Sequence, residues 1–191
     1  QENCNFLIIT QSWPAFALEA VHRLCMARKR GVPSMSMFYP CTDSAVYFGW
    51  AIAASWGQLF AQSGGENFDN YLDESFIRGF EDQNPELFQH PKKIADLAFL
   101  MSQNTRDYAD GCQEYMKKYL KWMQASVMSG ISTDMVFEDD GGDFGNYKIL
   151  VAAYAAMLSD KTLKDLEQYV GGGGKLVIIG DFGIFKPDGS R

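Results

Sequence analysis

Short apolar runs that alternate with longer stretches of helical periodicity constrain the fold of this chain more than any other feature. The runs are rich in Val, Ile, Leu, Met and Phe and are bounded by Gly, Pro or polar residues, which is typical of strands buried in a sheet. Alternating strands and helices favour parallel pairing through right-handed crossovers. The sequence therefore predicts an α/β fold, with strands at residues 6–9, 32–39, 94–101, 131–137, 148–153 and 175–179.

Helical periodicity fills the segments between these strands. Residues 15–30 form a predicted helix that ends in Arg28-Lys29-Arg30 and Gly31, where the cations complement the helix dipole. Residues 43–62 are apolar nearly all round, which predicts a helix buried on most sides. Residues 108–129 place Cys112, Tyr115, Tyr119, Trp122 and Met123 at helical offsets, and Ser159-Asp160 caps a helix in which Leu163, Leu166 and Val170 share a face.

Residues 67–93 differ in composition from the rest of the chain. They contain many acidic residues and two prolines, Pro85 and Pro91, which interrupt regular secondary structure. The segments "DESFIRGFEDQ" and "PELFQ" predict surface helices that lay Phe76 and Phe80 on an underlying core. This stretch is also the expected domain junction.

The charge balance excludes one class of partner. The formal net charge is -7 and the pI is near 4.8, whereas affinity for nucleic acid depends on clustered Lys and Arg. No apolar run approaches the roughly 20 residues that span a bilayer. We therefore expect a soluble chain with no nucleic-acid or membrane partner; a bacterial secreted or periplasmic location stays open.

Metal and cofactor motifs are weak. The cysteines are far apart and lack a C-x-x-C pair, so no zinc site is predicted, and Cys25 and Cys112 lie on apolar helical stripes that indicate core packing. Glu138, Asp139 and Asp140 together with Asp143 could coordinate a hard cation, but solvated acids at a strand end are commoner. The Gly171–Gly174 run precedes a strand, which favours a helix cap over a phosphate cradle. We predict no metal and no cofactor.

Polar residues follow several of the predicted strands. In open parallel sheets, ligands bind outside the carboxyl ends of the strands. This rule points to residues 11–13, 39–43, 102–107, 138–140 and 181–185 as the rim of a ligand pocket or an interface. Trp13, placed in a post-strand loop, is the preferred platform for a sugar ring, whereas Trp50, Trp56 and Trp122 lie on predicted helices and are expected in the core or an interface.

The second half of the chain resembles a known family. The segments "IADLAFLMSQNTRDYADG", "DMVFEDD" and "YKILVAAYAAMLSDKTLKDLEQYVGGGGKLVIIGDFG" are similar to the trimerisation domain of family 42 β-galactosidases, a glutamine-amidotransferase-like α/β fold. The segment "FGWAIAASWGQ" and its flanking βα units resemble the end of the catalytic (β/α)₈ barrel of the same proteins. The resemblance implies a barrel segment at residues 1–93 and a flavodoxin-like or amidotransferase-like parallel-sheet domain at residues 94–191, which we expect to be incomplete.

The resemblance also implies roles for individual residues. Interface residues are expected at Asn104, Arg106, Asp107 and Tyr108, because the family's domain mediates oligomerisation, so a trimer-like homo-oligomer is expected. Carbohydrate contacts are expected at the barrel strand ends, from Gln11, Trp13, Tyr39 and Asp43.

The chain is not expected to contain the catalytic pair of a retaining glycosidase. This pair consists of two carboxyls about 5–5.5 Å apart, presented at strand ends. In the family the nucleophile ends barrel strand seven; if residues 6–10 correspond to that strand, the positions at its end are Thr10 and Gln11. The amidotransferase cysteine is also replaced, by Ser102 or Tyr154 at the matching strand ends. We expect a glycosidase segment without its complete catalytic pair; the alternatives are a non-catalytic carbohydrate-binding or structural module and a flavodoxin-like small-molecule binder.

Overall fold

The computed structural model describes residues 2–5, 13–38, 42–62, 73–88, 94–108 and 113–190, and the side chains of residues 2–5, 13–20, 113 and 142 are outside this description. The chain divides into two compact units, Gln1–Lys93 and Ile94–Arg191. Every strand pairing in both units is parallel, so the α/β prediction is confirmed. None of the helices in these ranges is long and apolar enough to cross a membrane.

The first unit is a three-stranded sheet with helical crossovers. Its strands lie in chain order, β1-β2-β3. The elements are β1 (Glu2–Asn5), α1 (Trp13–Lys29), β2 (Met35–Phe38), α2 (Asp43–Ser55), β3 (Leu59–Gln62), α3 (Ser75–Gln83) and a 3₁₀ turn at Pro85–Leu87. The strand predicted at residues 6–9 falls outside the described residues.

α1 ends where its sequence indicates. Arg28 and Lys29 lie in its last turn, as predicted, and Gly31 follows in the left-handed conformation at φ 63°. Cys25 is buried at 3% exposure, so the prediction that it packs in the core is confirmed. Cys112 is outside the described residues.

The prediction of one helix over residues 43–62 is wrong. α2 begins after Thr42, whose hydroxyl accepts a hydrogen bond from Ala45 N at 3.3 Å, and it ends at Ser55. Gly57 then adopts φ 65° and turns the chain into β3, which pairs in parallel with β2. A glycine with positive φ is a common helix stop, and this signal was available in the sequence.

A buried polar group fixes the start of β3. Gln58 Nε2 donates to Ser34 Oγ at 2.7 Å, and Ser36 Oγ donates to Gln58 Oε1 at 2.5 Å. All three residues are buried. Because buried amides need partners, this group ties the turn after α2 to the segment that carries β2.

The prediction that Phe76 and Phe80 cover the core is also wrong. Phe76 is 64% exposed, and the residue of α3 that enters the core is Ile77. Phe80 is partly exposed and meets the edge of the Trp50 ring at 5.8 Å between centroids. Trp50 Nε1 donates to Glu81 Oε1 at 2.9 Å, so α2 and α3 are joined by a polar and an aromatic contact.

The second unit is a four-stranded sheet whose order is β5-β4-β6-β7. Its first strand therefore lies in the interior, and the chain winds outward in both directions. The elements are β4 (Leu97–Met101), α4 (Gln103–Tyr108), α5 (Gln113–Met128), β5 (Thr133–Phe137), 3₁₀ turns at Gly141–Asn146, β6 (Ile149–Ala153), α6 (Asp160–Gly171) and β7 (Lys175–Ile179).

Helices pack on both faces of this sheet. On one face, Tyr119 of α5 is fully buried and meets Phe99 of β4 edge-on, with ring centroids 5.9 Å apart. On the other face, Leu166 and Tyr169 of α6 join a core that includes Leu150. This two-sided burial explains why β4 and β6 are continuous apolar runs.

Two details of the second unit correct the sequence reading. The stretch after β4 was predicted as a polar strand end and then one helix, but α4 begins at once with Gln103. α6 is capped by Ser159, whose Oγ accepts from Thr162 N at 3.0 Å, as predicted. Leu163, Leu166 and Val170 share a face of α6, as predicted, and on that face Leu166 is buried whereas Val170 is 46% exposed.

Candidate functional site

The carboxyl ends of β4 and β5 bring Ser102 and Glu138 together. Met101 pairs with Phe137 at the last step of the ladder, so the residues that follow are neighbours. Ser102 Oγ lies 2.9 Å from Glu138 Oε2, and Glu138 N donates to Met101 O at 3.1 Å. The prediction that these polar strand ends lie side by side on one rim is therefore correct for this pair.

Glu138 also holds the first turn of α4. Its Oε1 accepts a hydrogen bond from Asn104 N at 2.9 Å. The side chain is buried, with the residue only 5% exposed. The expectation of solvated acids at this strand end is wrong for Glu138, because Ser102 and the backbone of α4 supply the partners that a buried carboxyl requires.

Ser102 is the centre of a closed polar cluster, the rim cluster, which comprises Ser102, Thr105, Tyr115, Glu138 and the backbone of Met157. Ser102 Oγ lies 2.8 Å from Thr105 Oγ1 and 2.8 Å from Met157 O. It also accepts from Thr105 N at 3.0 Å. Thr105 Oγ1 accepts from Met157 N at 2.9 Å. The cluster thus joins the ends of β4 and β5 to the segment that follows β6.

Tyr115 closes the cluster from α5. Its Oη accepts a hydrogen bond from Ser102 N at 2.9 Å, and the residue is 4% exposed. Burial raises the pKa of the Tyr115 phenol well above its ordinary range. The phenol is therefore a neutral partner at every physiological pH.

Glu138 is the titratable group of the rim cluster. Burial raises the pKa of the Glu138 carboxyl above its ordinary value, and this effect exceeds the opposing effect of the hydrogen bonds from Asn104 N and Ser102 Oγ. The negative charge of Asp139 raises this pKa further, and a backbone hydrogen bond from Gln103 lowers it. The neutral acid is favoured relative to an exposed glutamate.

The three acidic residues that follow β5 have different surroundings. Asp139 is exposed, whereas Asp140 Oδ2 accepts from Phe137 N at 3.2 Å. Glu138 points into the rim cluster. Across the described ranges, no group of three or more His, Cys, Asp or Glu side chains is placed to hold a metal ion.

The residues predicted for carbohydrate contact belong to the first unit. Gln11 and Tyr39 lie outside the described residues. Trp13 is the first residue of α1, and its side chain is not described. Asp43 is the first residue of α2 and is exposed. β1 and β2 pair up to Asn5 and Phe38, so the connections that lead to the two helices leave the same edge of the sheet.

The residues predicted for an interface are gathered on α4. Asn104 is partly buried through its hydrogen bond to Glu138, whereas Tyr108 is 69% exposed. Arg106 Nε pairs with Asp107 Oδ1 at 2.8 Å, so these two side chains contact each other. The last turn of α4 therefore presents an aromatic ring and an ion pair to solvent.

The sequence reasoning missed a conformational feature at the end of β6. Tyr154 adopts φ 57°, a region that bulky residues rarely occupy. Its N–H donates to Ile179 O at 2.7 Å, Lys118 Nζ lies 5.1 Å from the ring centroid, and Gly180 leaves room for the ring. No pattern in the sequence predicts this backbone.

An apolar cleft of about 380 Å³ lies between α6 and β7. Leu163, Leu166 and Val170 line it from the helix, and Leu176 and Phe182 line it from the strand side, with Glu167 at its edge. Val177 and Ile178 of β7 are about half exposed on opposite faces of the sheet. β7 is thus apolar on both faces and incompletely covered.

Comparison with known proteins finds a similar domain for the second unit. Residues 93–183 match the family model of the β-galactosidase trimerisation domain. The second unit is similar to this domain over most of its length. The resemblance inferred from the segments around β4, β5 and β6 is therefore confirmed. The rim cluster and the α6–β7 cleft both lie within the matched residues. No curated protein sequence matches the chain.

Solved glycosidases are similar in fold to this chain. One of them is a catalytic mutant of Gan42B, a GH42 β-galactosidase of G. stearothermophilus, which is 14% identical to this chain with a TM-score of 0.70. The aligned region covers 100% of this chain and 34% of the Gan42B chain. The β-galactosidase of Bacillus circulans sp. alkalophilus is 15% identical with a TM-score of 0.65, and the aligned region covers 98% of this chain and 33% of that protein's chain. The exo-β-1,4-mannosidase Op5Man5 of an Opitutaceae bacterium is 12% identical with a TM-score of 0.59, and the aligned region covers 86% of this chain and 36% of the mannosidase chain. The chain spans about a third of the length of these proteins.

Proposed function

We propose that this chain is a segment of a carbohydrate-active glycoside hydrolase of the β-galactosidase type, and that its second unit mediates assembly of several copies. The observation that carries this proposal is the match of residues 93–183 to the β-galactosidase trimerisation domain. The fold likeness of the whole chain to solved glycosidases supports it. We propose a homo-trimer as the assembled state.

The strand orders support different roles for the two units. A sheet in chain order, as in β1-β2-β3, is what a segment of a (β/α)₈ barrel requires, because each strand of a barrel pairs with the next. The order β5-β4-β6-β7 is that of a doubly wound, flavodoxin-like sheet. We propose that residues 1–93 are barrel βα units and that residues 94–191 form an amidotransferase-like domain that also walls a neighbouring active site.

Carbohydrate contact is proposed for the first unit. The carboxyl ends of β1 and β2 lie at the same edge of the sheet, and Gln11, Trp13, Tyr39 and Asp43 follow these ends in the chain. An indole ring stacks on the apolar face of a sugar, and an aspartate accepts hydrogen bonds from its hydroxyls. Isothermal calorimetry with galactose and lactose tests this proposal: Trp13→Ala should weaken binding by about two- to tenfold, since an aromatic contact contributes roughly 0.5–1.5 kcal/mol beyond its buried area.

We propose that catalysis requires carboxylates in addition to those that this chain supplies. Glu138, the buried acid of the second unit, is held by Ser102 and Asn104 and has no second carboxyl paired with it in the rim cluster. The chain alone should therefore release no nitrophenol from a nitrophenyl β-galactoside. Measurable turnover that survives purification to homogeneity would overturn this part of the proposal.

Assembly is proposed to use the exposed end of α4. Tyr108 is a large exposed aromatic residue, and Arg106 and Asp107 offer both charges beside it. Aromatic and arginine residues are enriched at interface centres. Light scattering across a concentration series tests the proposal: the chain should form a trimer, and Tyr108→Asp should shift it to a monomer.

Two further variants make the assembly experiment specific. Tyr47→Asp replaces an exposed tyrosine of the first unit and should leave the trimer intact. Val177→Asp changes the half-exposed face of β7. Loss of the trimer in Val177→Asp but not in Tyr108→Asp would move the interface from α4 to β7, and a monomer at every concentration would overturn the assembly proposal.

A further inference from the structure

A closed ring of three identical chains needs two different surfaces on each copy. A patch that binds itself builds a dimer, whereas in a cyclic trimer the surface that a copy presents differs from the surface that receives its neighbour. The end of α4 is one candidate surface, because Tyr108 is 69% exposed there beside the ion pair of Arg106 and Asp107. Its counterpart has to be found elsewhere on the chain.

The α6–β7 cleft is an apolar surface that is open to a neighbour. Its volume is about 380 Å³, and Val170 at its lining is 46% exposed. Ile178 is 50% exposed and lies on the same face of β7 as Leu176, which lines the cleft. One aromatic side chain buries roughly 150–250 Å², and a stable interface requires roughly 1,200–2,000 Å² in total. The cleft can therefore receive an aromatic ring at the centre of a wider contact that includes Val170 and Ile178.

Charged residues of both signs flank the cleft. Glu167 lies at its edge, and Lys164, one turn earlier on α6, is also exposed. The end of α4 carries Arg106 and Asp107 beside its aromatic ring. An aromatic ring with both charges next to it is thus complementary to an apolar cleft with both charges at its edge. A purely apolar small ligand would make no use of these charges.

The two surfaces are separate on each copy, as a ring requires. Tyr108 is not one of the residues that line the cleft. α5, the helix that follows Tyr108 in the chain, packs on the face of β4 that carries Phe99. The cleft lies on the α6 side of the sheet, where Leu166 joins the core around Leu150. One copy can therefore present α4 to one neighbour and the cleft to another.

We propose that Tyr108 of one copy inserts into the α6–β7 cleft of the next copy, with Arg106 opposite Glu167, and that three repeats of this contact close the ring. This inference rests on the proposed assembly of several copies and deepens it, because it assigns both sides of the contact. The occupant of the cleft is a second copy of this chain.

Two half-exposed valines provide a matched test of the cleft. Val170 lines it, whereas Val177, exposed to 45%, lies on the opposite face of β7. Light scattering of the 191-residue chain gives the concentration at which half of the trimer dissociates. Val170→Asp should raise this concentration at least about tenfold, because a carboxylate would be desolvated in an apolar contact. Val177→Asp should leave it unchanged. No effect of Val170→Asp, or an equal effect of both variants, would overturn the inference.

Charge reversal tests the pairing of α4 with the cleft directly. Arg106→Glu and Glu167→Arg should each raise the half-dissociation concentration at least about tenfold, because like charges then face each other. A chain with both changes should return to within about threefold of the wild type, since every contact again joins opposite charges. Arg106→Glu combined with Glu114→Arg is the control, because Glu114 is an exposed glutamate of α5, and it should show no recovery.

The outcomes separate this inference from the proposed function. A wild-type trimer whose charge-reversed pair shows no recovery overturns the contact between α4 and the cleft and leaves the assembly proposal standing. A wild-type chain that is monomeric at every concentration overturns the assembly proposal itself, and the inference with it. Far-ultraviolet circular dichroism of each variant verifies that it retains the fold of the wild type.

Discussion

Thr105 Oγ1 accepts a hydrogen bond from the backbone N–H of Met157, 52 residues later in the chain, at 2.9 Å. This bond links α4 to the segment that leaves β6, and both residues are buried. It satisfies a backbone N–H at a point where the sheet no longer offers a strand partner. The rim cluster therefore acts as a structural joint between distant parts of the second unit.

Thr105→Val tests this joint. Valine keeps the shape of the side chain but leaves Met157 N without its acceptor, so the free energy of unfolding should fall by about 1–3 kcal/mol. Chemical denaturation measures it. Ser129→Ala is the control, because it removes an exposed hydroxyl that donates to Ala125 O of α5. It should change the free energy of unfolding by less than about 0.5 kcal/mol. Equal effects of the two variants would show that the Thr105 contact contributes nothing of its own.

Gly180→Ala tests the close approach of Tyr154. Gly180 has φ +70°, and an added Cβ would also meet the Tyr154 ring, so we expect a loss of about 2–4 kcal/mol from backbone strain and overpacking together. Gly130→Ala is the matched control, because Gly130 has φ +72° and open space around the added carbon. Thermal unfolding should show a smaller loss for this control; identical losses would mean that the ring contact is unimportant.

Trp50→Phe tests the contact between α2 and α3. Phenylalanine retains the aromatic contact with Phe80 but loses the hydrogen bond from the indole to Glu81, which predicts a loss of about 0.5–1.5 kcal/mol. Trp56→Phe is the comparison, because Trp56 also packs against the core of the first unit and its indole N–H has no hydrogen-bond partner within the described ranges. The measurement is urea unfolding followed by far-ultraviolet circular dichroism.

The sequence predicted the fold of the second unit well because its strands are buried on both faces. A run such as Leu97–Met101 has no polar alternation to obscure it, and Ser159 offers a side-chain cap at the start of α6. The predicted neighbourhood of the Ser102 and Glu138 ends followed from parallel pairing alone. Residue-level periodicity and the strand-end rule were sufficient for these features.

Other features depend on tertiary context that periodicity does not carry. Leu59–Gln62 reads as a continuation of an apolar helix, and only the turn at Gly57 and the pairing with β2 make it a strand. Phe76 and Phe80 have the same spacing as core residues, but Ile77 takes the buried position. The burial of Glu138 requires Ser102 and α4 as partners from 36 and 34 residues away, which no local pattern reveals.

The exposed faces of β7 have a consequence for handling the protein. Val177 and Ile178 make this strand apolar on both sides, and β6 is its one strand partner in the described sheet. An open apolar edge is a template for intermolecular strand addition, the same contact that builds amyloid-like aggregates. Preparations of the chain by itself should therefore lose material to precipitation on warming, and a charged residue in place of Ile178 should raise the recoverable yield.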